Sequence, residues 1–364
     1  MNRTPRLAAL LLLLISATAG ASPSDAERVE KAYQLALEKW TLDVRTAATT
    51  EARTKAWGTR PDPVAAAKQM WLVISPALRE AWTLEPAAWF LRISDGLRTT
   101  QPNGSSSRTF VEEINAIYAA IETYHLTSPK LPPVCLALAA SDDPRSLALL
   151  EKIQAGRADK SVQGVAALAI AMRLKFLGDD DGLLKKRLTL LRKAIIDSAE
   201  VEINGASVAK LAEDELYIIR FLTKGRIAPD LSGTDSGLRP MKLSDYKGKV
   251  VVVLFWNGSV PEAARVLEMA TAMGKKFADK PFAVIGVNND STADLRKMQK
   301  QADLVTFPNF SDPQNHLAQE YRIGVWPLAY VLDGDRKIHY AGPPGSFVDI
   351  TAAALLGETK PAAK

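Results

Sequence analysis

The chain has 364 residues, 47% of them hydrophobic and 24% charged, with a formal charge of +5. That apolar content is enough for two cores, and the charge is too mild for a nucleic-acid surface; no basic cluster with interleaved aromatics occurs. A single cysteine, Cys135, excludes an internal disulfide framework and a cysteine-based zinc site.

Residues 1–21 read as an export signal. Arg3 and Arg6 open the segment, Leu7 to Ala19 form an apolar core, and Ala19-Gly20-Ala21 offers a small-residue cleavage site. As a helix that core would span about 20 Å, short of the roughly 30 Å of a bilayer. The expected product begins near Ser22, is periplasmic or secreted, and has no stable membrane insertion.

From Asp25 to about Lys224 the pattern is helical, with helices expected at 25–49, 63–80, 85–98, 107–125, 133–140, 143–155, 161–177, 181–198 and 206–223. Turn chemistry separates them, as at Arg60-Pro61-Asp62-Pro63 and Gln101-Pro102-Asn103-Gly104. Asp143 reads as an N-cap followed by proline at the first helical position. The small residues from Ser161 onward predict close helix packing, without a strict repeat of about 34 residues. Trp40, Trp57, Trp71, Trp82 and Trp89 read as packing anchors. Asp179-Asp180-Asp181 lacks calcium-loop spacing and reads as a turn capping the next helix. Cys135, in the apolar stretch Leu131 to Ala140, reads as a buried small hydrophobe.

The remainder alternates. A hairpin is expected at 227–245, a strand at 249–256, a helix at 260–278 and a strand at 282–287. A helix at 291–302, a short strand at 305–307 and a helix at 313–321 follow, then an antiparallel pair at 328–332 and 337–341 and a helix at 345–356. The unbroken apolar run Val250 to Trp256 predicts a strand buried on both faces. Ser259 reads as the N-cap of the next helix, with Glu262 completing a Ser-x-x-Glu box. This places Ser259 and Val260 at the carboxyl edge of a sheet, where α/β proteins commonly place their chemistry.

Three stretches carry a resemblance: Ala228 to Thr234 with Lys242 to Lys249, then Phe255-Trp256 and its turn, then Gly324-Val325-Trp326-Pro327 leading into Ala329 to Asp333. On them, residues from about 226 to 345 resemble the thioredoxin-like superfamily in its exported TlpA/ResA-like branch, related to AhpC/TSA. With the helical pattern upstream this gives an all-helical N-terminal domain followed by a thioredoxin-like α/β domain with a mixed central sheet, for which the resemblance implies the order βαβαβαββα. It also implies a cis-proline at Pro327. The expected division is 1–21 signal, 22–225 helical domain, 226–357 thioredoxin-like domain and 358–364 disordered tail.

Laid on that branch's Phe-Trp-x-x-Trp-Cys-x-x-Cys, this chain keeps Phe255 and Trp256 but has Ser259 for the second tryptophan, Val260 for the first cysteine and Ala263 for the second. Thiol–disulfide exchange needs an attacking thiolate and a resolving thiol, and these positions supply neither. Leu254 stands where many thioredoxins hold a buried aspartate. Ser259, Val260, Pro261, Glu262 and Ala263 therefore read as a degenerate redox site without a catalytic residue. Peroxidase chemistry fails for the same lack of a cysteine. No motif surrounds His125, His316 or His339 that would make Ser259 a nucleophile or build a metal site, and no cofactor is expected.

A binding surface remains, with Trp256, Trp326 and Pro327 offered to an extended peptide or an envelope protein. Alternatively Trp326 only fills the groove. The leading expectation is an exported, redox-inactive protein- or peptide-binding module. The second is a thiol-disulfide oxidoreductase working with a partner's cysteines or with Cys135, and the third a purely structural envelope component.

Overall fold

The computed structural model describes residues 21–47, 50–100, 104–175, 177–178, 180–259, 262–300 and 305–357. Nearly all of the expected signal segment and the tail from 358 lie outside them.

The helical part opens with α1 (Pro23–Thr46), capped by Ser22, whose Oγ accepts the Asp25 N–H. Next come α2 (Thr50–Trp57) and α3 (Pro63–Ile74). The α2 helix was not expected; Trp40 Nε1 donates to Ala56 O at 2.9 Å and its ring meets Trp57 edge-on, which ties α2 to α1. Pro76 ends α3 earlier than the apolar pattern predicts, in a single 3₁₀ turn. α4 (Leu84–Ser94) is followed by a hairpin of β1 (Arg98–Thr100) and β2 (Ser106–Arg108), where helices were expected to reach 98 and to resume at 107 with a turn between them. Threonines and a Pro-Asn-Gly loop favour the strand pair over continued helix.

α5 (Val111–Ala120) runs on into a π turn, Ile121–His125. α6 (Pro132–Ala140), α7 (Arg145–Ala155), α8 (Lys160–Leu174) and α9 (Asp181–Ser198) then build the helical core. As expected, Asp180 caps α9, accepting from the Gly182 and Leu183 N–H groups. A second small hairpin, β3 (Glu202–Ile203) and β4 (Ala206–Ser207), precedes α10 (Val208–Tyr217), which ends in a π turn, Ile218–Leu222.

Packing follows from small residues. A β-carbon at Gly164 of α8 would fall on Ser198 Oγ and lie 2.9 Å from Asp197 Cβ, so glycine allows α9 its close approach. Arg187 of α9 is wholly buried and donates from Nη2 to Glu215 Oε2 at 2.8 Å, tying α9 to α10. The core of this part runs from Ala26 to Ile219.

The C-terminal part begins with β5 (Ser232–Thr234) and β6 (Pro240–Lys242), a two-stranded ribbon. The central sheet uses β7 (Val250–Trp256), α11 (Ala263–Lys276), β8 (Phe282–Asn288), α12 (Thr292–Lys300), β9 (Asn309–Ser311), α13 (His316–Glu320), β10 (Leu328–Leu332), β11 (Ile338–Gly342) and α14 (Ser346–Leu355). Its strand order is β11-β10-β7-β8-β9, with β7, β8 and β9 parallel and β10 antiparallel to both neighbours. β9 lies at 309–311 and not at 305–307: Val305 and Phe307 are buried, but the pairing with β8 starts at Gly286 opposite Asn309.

β7 is buried along its whole length and alternates strictly. Val250, Val252, Leu254 and Trp256 face α11 and α14, while Val251, Val253 and Phe255 face Tyr321, Ile338 and Leu222. Leu222 comes from the π turn that closes the helical part, so the second face of the sheet is completed from outside the sheet's own elements. Among the described residues no helix is long and apolar enough to cross a membrane.

Candidate functional site

The site is the carboxyl end of β7, its following turn, and the loop that leads into β10. The register places Leu328 beside Phe255, so Trp326 and Pro327 arrive next to the turn after Trp256.

The turn is held by side chains from β8 and its end. Gly258 N–H donates to Asp290 Oδ2 at 2.6 Å, and Ser259 N–H donates to Asn257 Oδ1 at 3.0 Å. Asp290 is itself fixed, since Asn288 Nδ2 donates to its Oδ2 at 2.9 Å and Asn288 Oδ1 accepts its N–H at 3.0 Å. These bonds correct the expected capping box. The N–H groups at the start of the turn are occupied, α11 begins at Ala263, and the residue before it, exposed Glu262, takes the cap position without a side-chain cap bond. Ser259 is half-buried and Ala263 is the first helical residue. Val260 and Pro261 lie outside the described residues.

Trp256 is a second correction. It is wholly buried, on the α11 face of the sheet, and its Nε1 donates to Asn309 Oδ1 at 2.8 Å. It has no surface to offer a ligand, because the alternation of β7 sends it to the face opposite Phe255. A β-carbon at Gly286 would fall on the Asn309 carboxamide and lie 2.7 Å from Trp256 Nε1, so this hydrogen bond depends on glycine at that position.

The opposite wall is the loop. The Trp326–Pro327 bond is cis, as expected, and both residues are half-buried. The Trp326 ring meets Phe255 edge-on at 6.2 Å, and Phe255 in turn packs on Tyr321 and Tyr330. Val325, just before Trp326, is 70% exposed, which leaves an apolar step beside the half-buried indole. Tyr321 donates to Pro229 O at 2.7 Å. Burial pushes the Tyr321 and Tyr330 phenols upward, so both stay neutral at ordinary pH and act as packing.

At the base of the loop stands Arg322, with a φ of +51°. It closes α13: the Arg322 N–H donates to Gln319 O and the Ile323 N–H to Ala318 O, the paired bonds of a Schellman cap. The left-handed position of that cap usually belongs to glycine. Here Arg322 Nε donates to Asp214 Oδ1 of α10 at 2.6 Å, and the guanidinium lies 4.1 Å over the Tyr217 ring.

The other expected chemical groups are elsewhere. Cys135 is wholly buried in α6, in the helical core, where desolvation pushes its thiol up to about 12. His125 Nε2 is 2.7 Å from Leu78 O, His339 Nε2 is 2.9 Å from Asp333 Oδ2, and His316 is exposed at the start of α13. Among the described residues no group of three or more His, Cys, Asp or Glu side chains is arranged to hold a metal ion.

Sequence reasoning missed Asn288, Asp290, Asn309, Arg322, Asp214 and Tyr217. The Asn288-Asn289-Asp290-Ser291 stretch after a strand is turn chemistry that could have pointed to the first two. Arg322 and Asp214 stand 108 residues apart, and no local pattern joins them.

The profile of the AhpC/TSA family matches residues 224–341. These residues form a thioredoxin-like domain. The match begins two residues after the π turn that ends at Leu222. Over 115 residues the chain is 27% identical to a thiol-disulfide oxidoreductase ResA of Bacillus cereus, covering 31% of this chain and 66% of that protein. Over 151 residues it is 27% identical to Protein DipZ of Mycobacterium bovis, covering 38% of this chain and 22% of that protein. The chain thus spans less than two thirds of the length of both relatives. Among solved structures, a thiol:disulfide interchange protein DsbE from Chlorobium tepidum aligns with 26% identity, a TM-score of 0.35, and coverage of 37% of this chain and 99% of that one. By its sequence the thioredoxin-like domain is similar to the thiol-disulfide oxidoreductase ResA.

Proposed function

We propose that this chain is an exported, redox-inactive thioredoxin-like protein that binds an extended segment of another envelope protein at the Trp326–Pro327 loop. The observation that carries the reading is a separation. The loop keeps its cis-proline and a half-buried tryptophan, while the chain's only thiol lies buried in a different core. Exchange chemistry needs a thiolate that can reach a disulfide sulfur, whereas backbone pairing with an extended segment needs only the loop and its apolar neighbours. The degenerate positions Ser259, Glu262 and Ala263 then form the far wall of a groove. Export rests on the sequence of residues 1–21.

The similarity to the thiol-disulfide oxidoreductase ResA favours a second reading, thiol-disulfide exchange with a partner's cysteines. The burial of Cys135 counts against it.

The test uses dye-labelled, reduced and carboxymethylated α-lactalbumin, an extended polypeptide whose thiols are blocked. Saturable binding by the full chain, weakened about tenfold or more by Trp326→Ala, is the expected result; a tenfold loss corresponds to about 1.4 kcal/mol, ordinary for one well-buried aromatic contact. Equal affinity in both chains would remove the groove from the function. Catalytic turnover of insulin disulfides by the unaltered chain would establish the second reading instead.

A further inference from the structure

We infer that Asp214 and Tyr217, on the last helix of the helical part, are positioning residues for the Trp326–Pro327 loop, acting through Arg322. This rests on the groove reading above and names what holds one of the groove's walls. The two walls are supported differently. The turn after β7 is held within the thioredoxin-like domain, by Asp290 on Gly258. The loop, besides its contacts on Phe255 and α13, is held from outside that domain by α10.

Arg322 shows why. The left-handed C′ position of a Schellman cap is strained for a residue with a β-carbon, and glycine meets the need without cost. The arginine backbone gains nothing there as a cap. The gain lies in the side chain: Nη1 donates to Gln319 O at 2.6 Å, Nε donates to Asp214 Oδ1 at 2.6 Å, and the guanidinium covers Tyr217. Arg322 and Asp214 keep only 27% and 29% of their side chains exposed, so water screens the pair less than a free surface pair. Tyr217 is fixed in turn by packing at 4.9 Å on Phe221, in the π turn. Trp326 stands four residues beyond Arg322, and Ile323 between them packs into the sheet face that Leu222 completes. A shift of α10 must therefore move the base of the loop.

Amide hydrogen exchange and binding of carboxymethylated α-lactalbumin are to be measured on the full chain and on Arg322→Gly, Asp214→Asn and Tyr217→Leu. Asp214→Asn is the decisive variant, because Arg322→Gly also removes the Nη1 bond that caps the Gln319 carbonyl. A role of Arg322 confined to capping would leave the loop of Asp214→Asn unchanged. The expected result is exchange of the 323–326 amides faster by roughly three- to tenfold in all three variants. Affinity for the probe falls by a similar factor, and exchange in β7 stays unchanged. Asp214→Asn guards against an effect of glycine itself, since it leaves Arg322 in place. Unchanged loop exchange in Asp214→Asn overturns the inference. If the unaltered chain fails to bind the probe, the groove reading falls, and faster loop exchange in the variants still upholds the positioning of the loop by α10.

Discussion

Cys135 is where any thiol chemistry of this chain has to occur, and its surroundings decide against that. It is wholly excluded from solvent in α6, and desolvation raises its thiol from an ordinary 9.0 to about 12. Iodoacetamide at pH 8 should leave the folded protein unlabelled and label it fully in denaturant, read by intact mass. The sign of the linkage follows: the folded thiol keeps its proton where the unfolded one loses it, so this group's contribution to stability is complete below pH 9.0 and declines above it. Rapid labelling of the native chain would reopen exchange chemistry. The burial of Cys135 was legible from its neighbours, Leu131 to Ala140. The burial of Trp256 was legible too, from the apolar run Val250 to Trp256; what period-2 alternation could not tell is that Phe255, and not Trp256, lies on the face that meets Trp326.

Elements were legible at their centres more than at their ends. At the start of α7 local chemistry carried part of the way: α7 begins at Arg145 with Pro144 in the cap position, one residue later than expected, while Asp143 binds the first turn. Asp143 Oδ1 accepts the Arg145 N–H at 2.9 Å, and Arg145 Nη2 donates to Oδ2 at 2.6 Å. Arg145 holds the Asp143 carboxyl below its ordinary 3.8, against the opposing effect of burial. A depressed folded value means stability that is present above pH 3.8 and lost as pH falls through the folded value. Asp143→Asn should therefore cost about 1 kcal/mol at pH 7 by chemical denaturation. The difference should shrink as pH drops below 3.8; a difference constant down to pH 2 would mean that the charge is not what matters. At α11 the same kind of reasoning failed. Ser259 and Glu262 have the spacing of a capping box, but Asn257 Oδ1 takes the Ser259 N–H that the Glu262 carboxylate would need, and α11 starts only at Ala263. Likewise Val305 and Phe307 were read as a strand from their apolarity, which reports burial and not pairing.

At the scale of the molecule, the chain passes from one core to the other within a single five-residue π turn, since Ile219 belongs to the helical core and Leu222 to the sheet. The segment after it then lines the outer strand: Gly225 N–H donates to Ile338 O at 2.7 Å and Ile338 N–H to Arg226 O at 2.8 Å. With Arg322 bonded to Asp214, three kinds of contact join the two parts: apolar, backbone and ionic. None was visible in the sequence, because each pairs residues of different elements, the ionic and backbone contacts across more than a hundred positions, and periodicity reports only what one element does. The physical consequence is coupled unfolding. Leu222 is 3% exposed, and Leu222→Ala should cost about 2–4 kcal/mol by leaving a cavity under β11. Because the residue belongs to a helical turn, the loss should lower the thermal midpoint seen by far-ultraviolet dichroism, which the helices dominate, together with that seen by exchange of β7 amides. A variant in which the sheet loses protection while the helices keep their midpoint would mean that the two cores unfold independently, and that α10 reaches the groove only through Arg322.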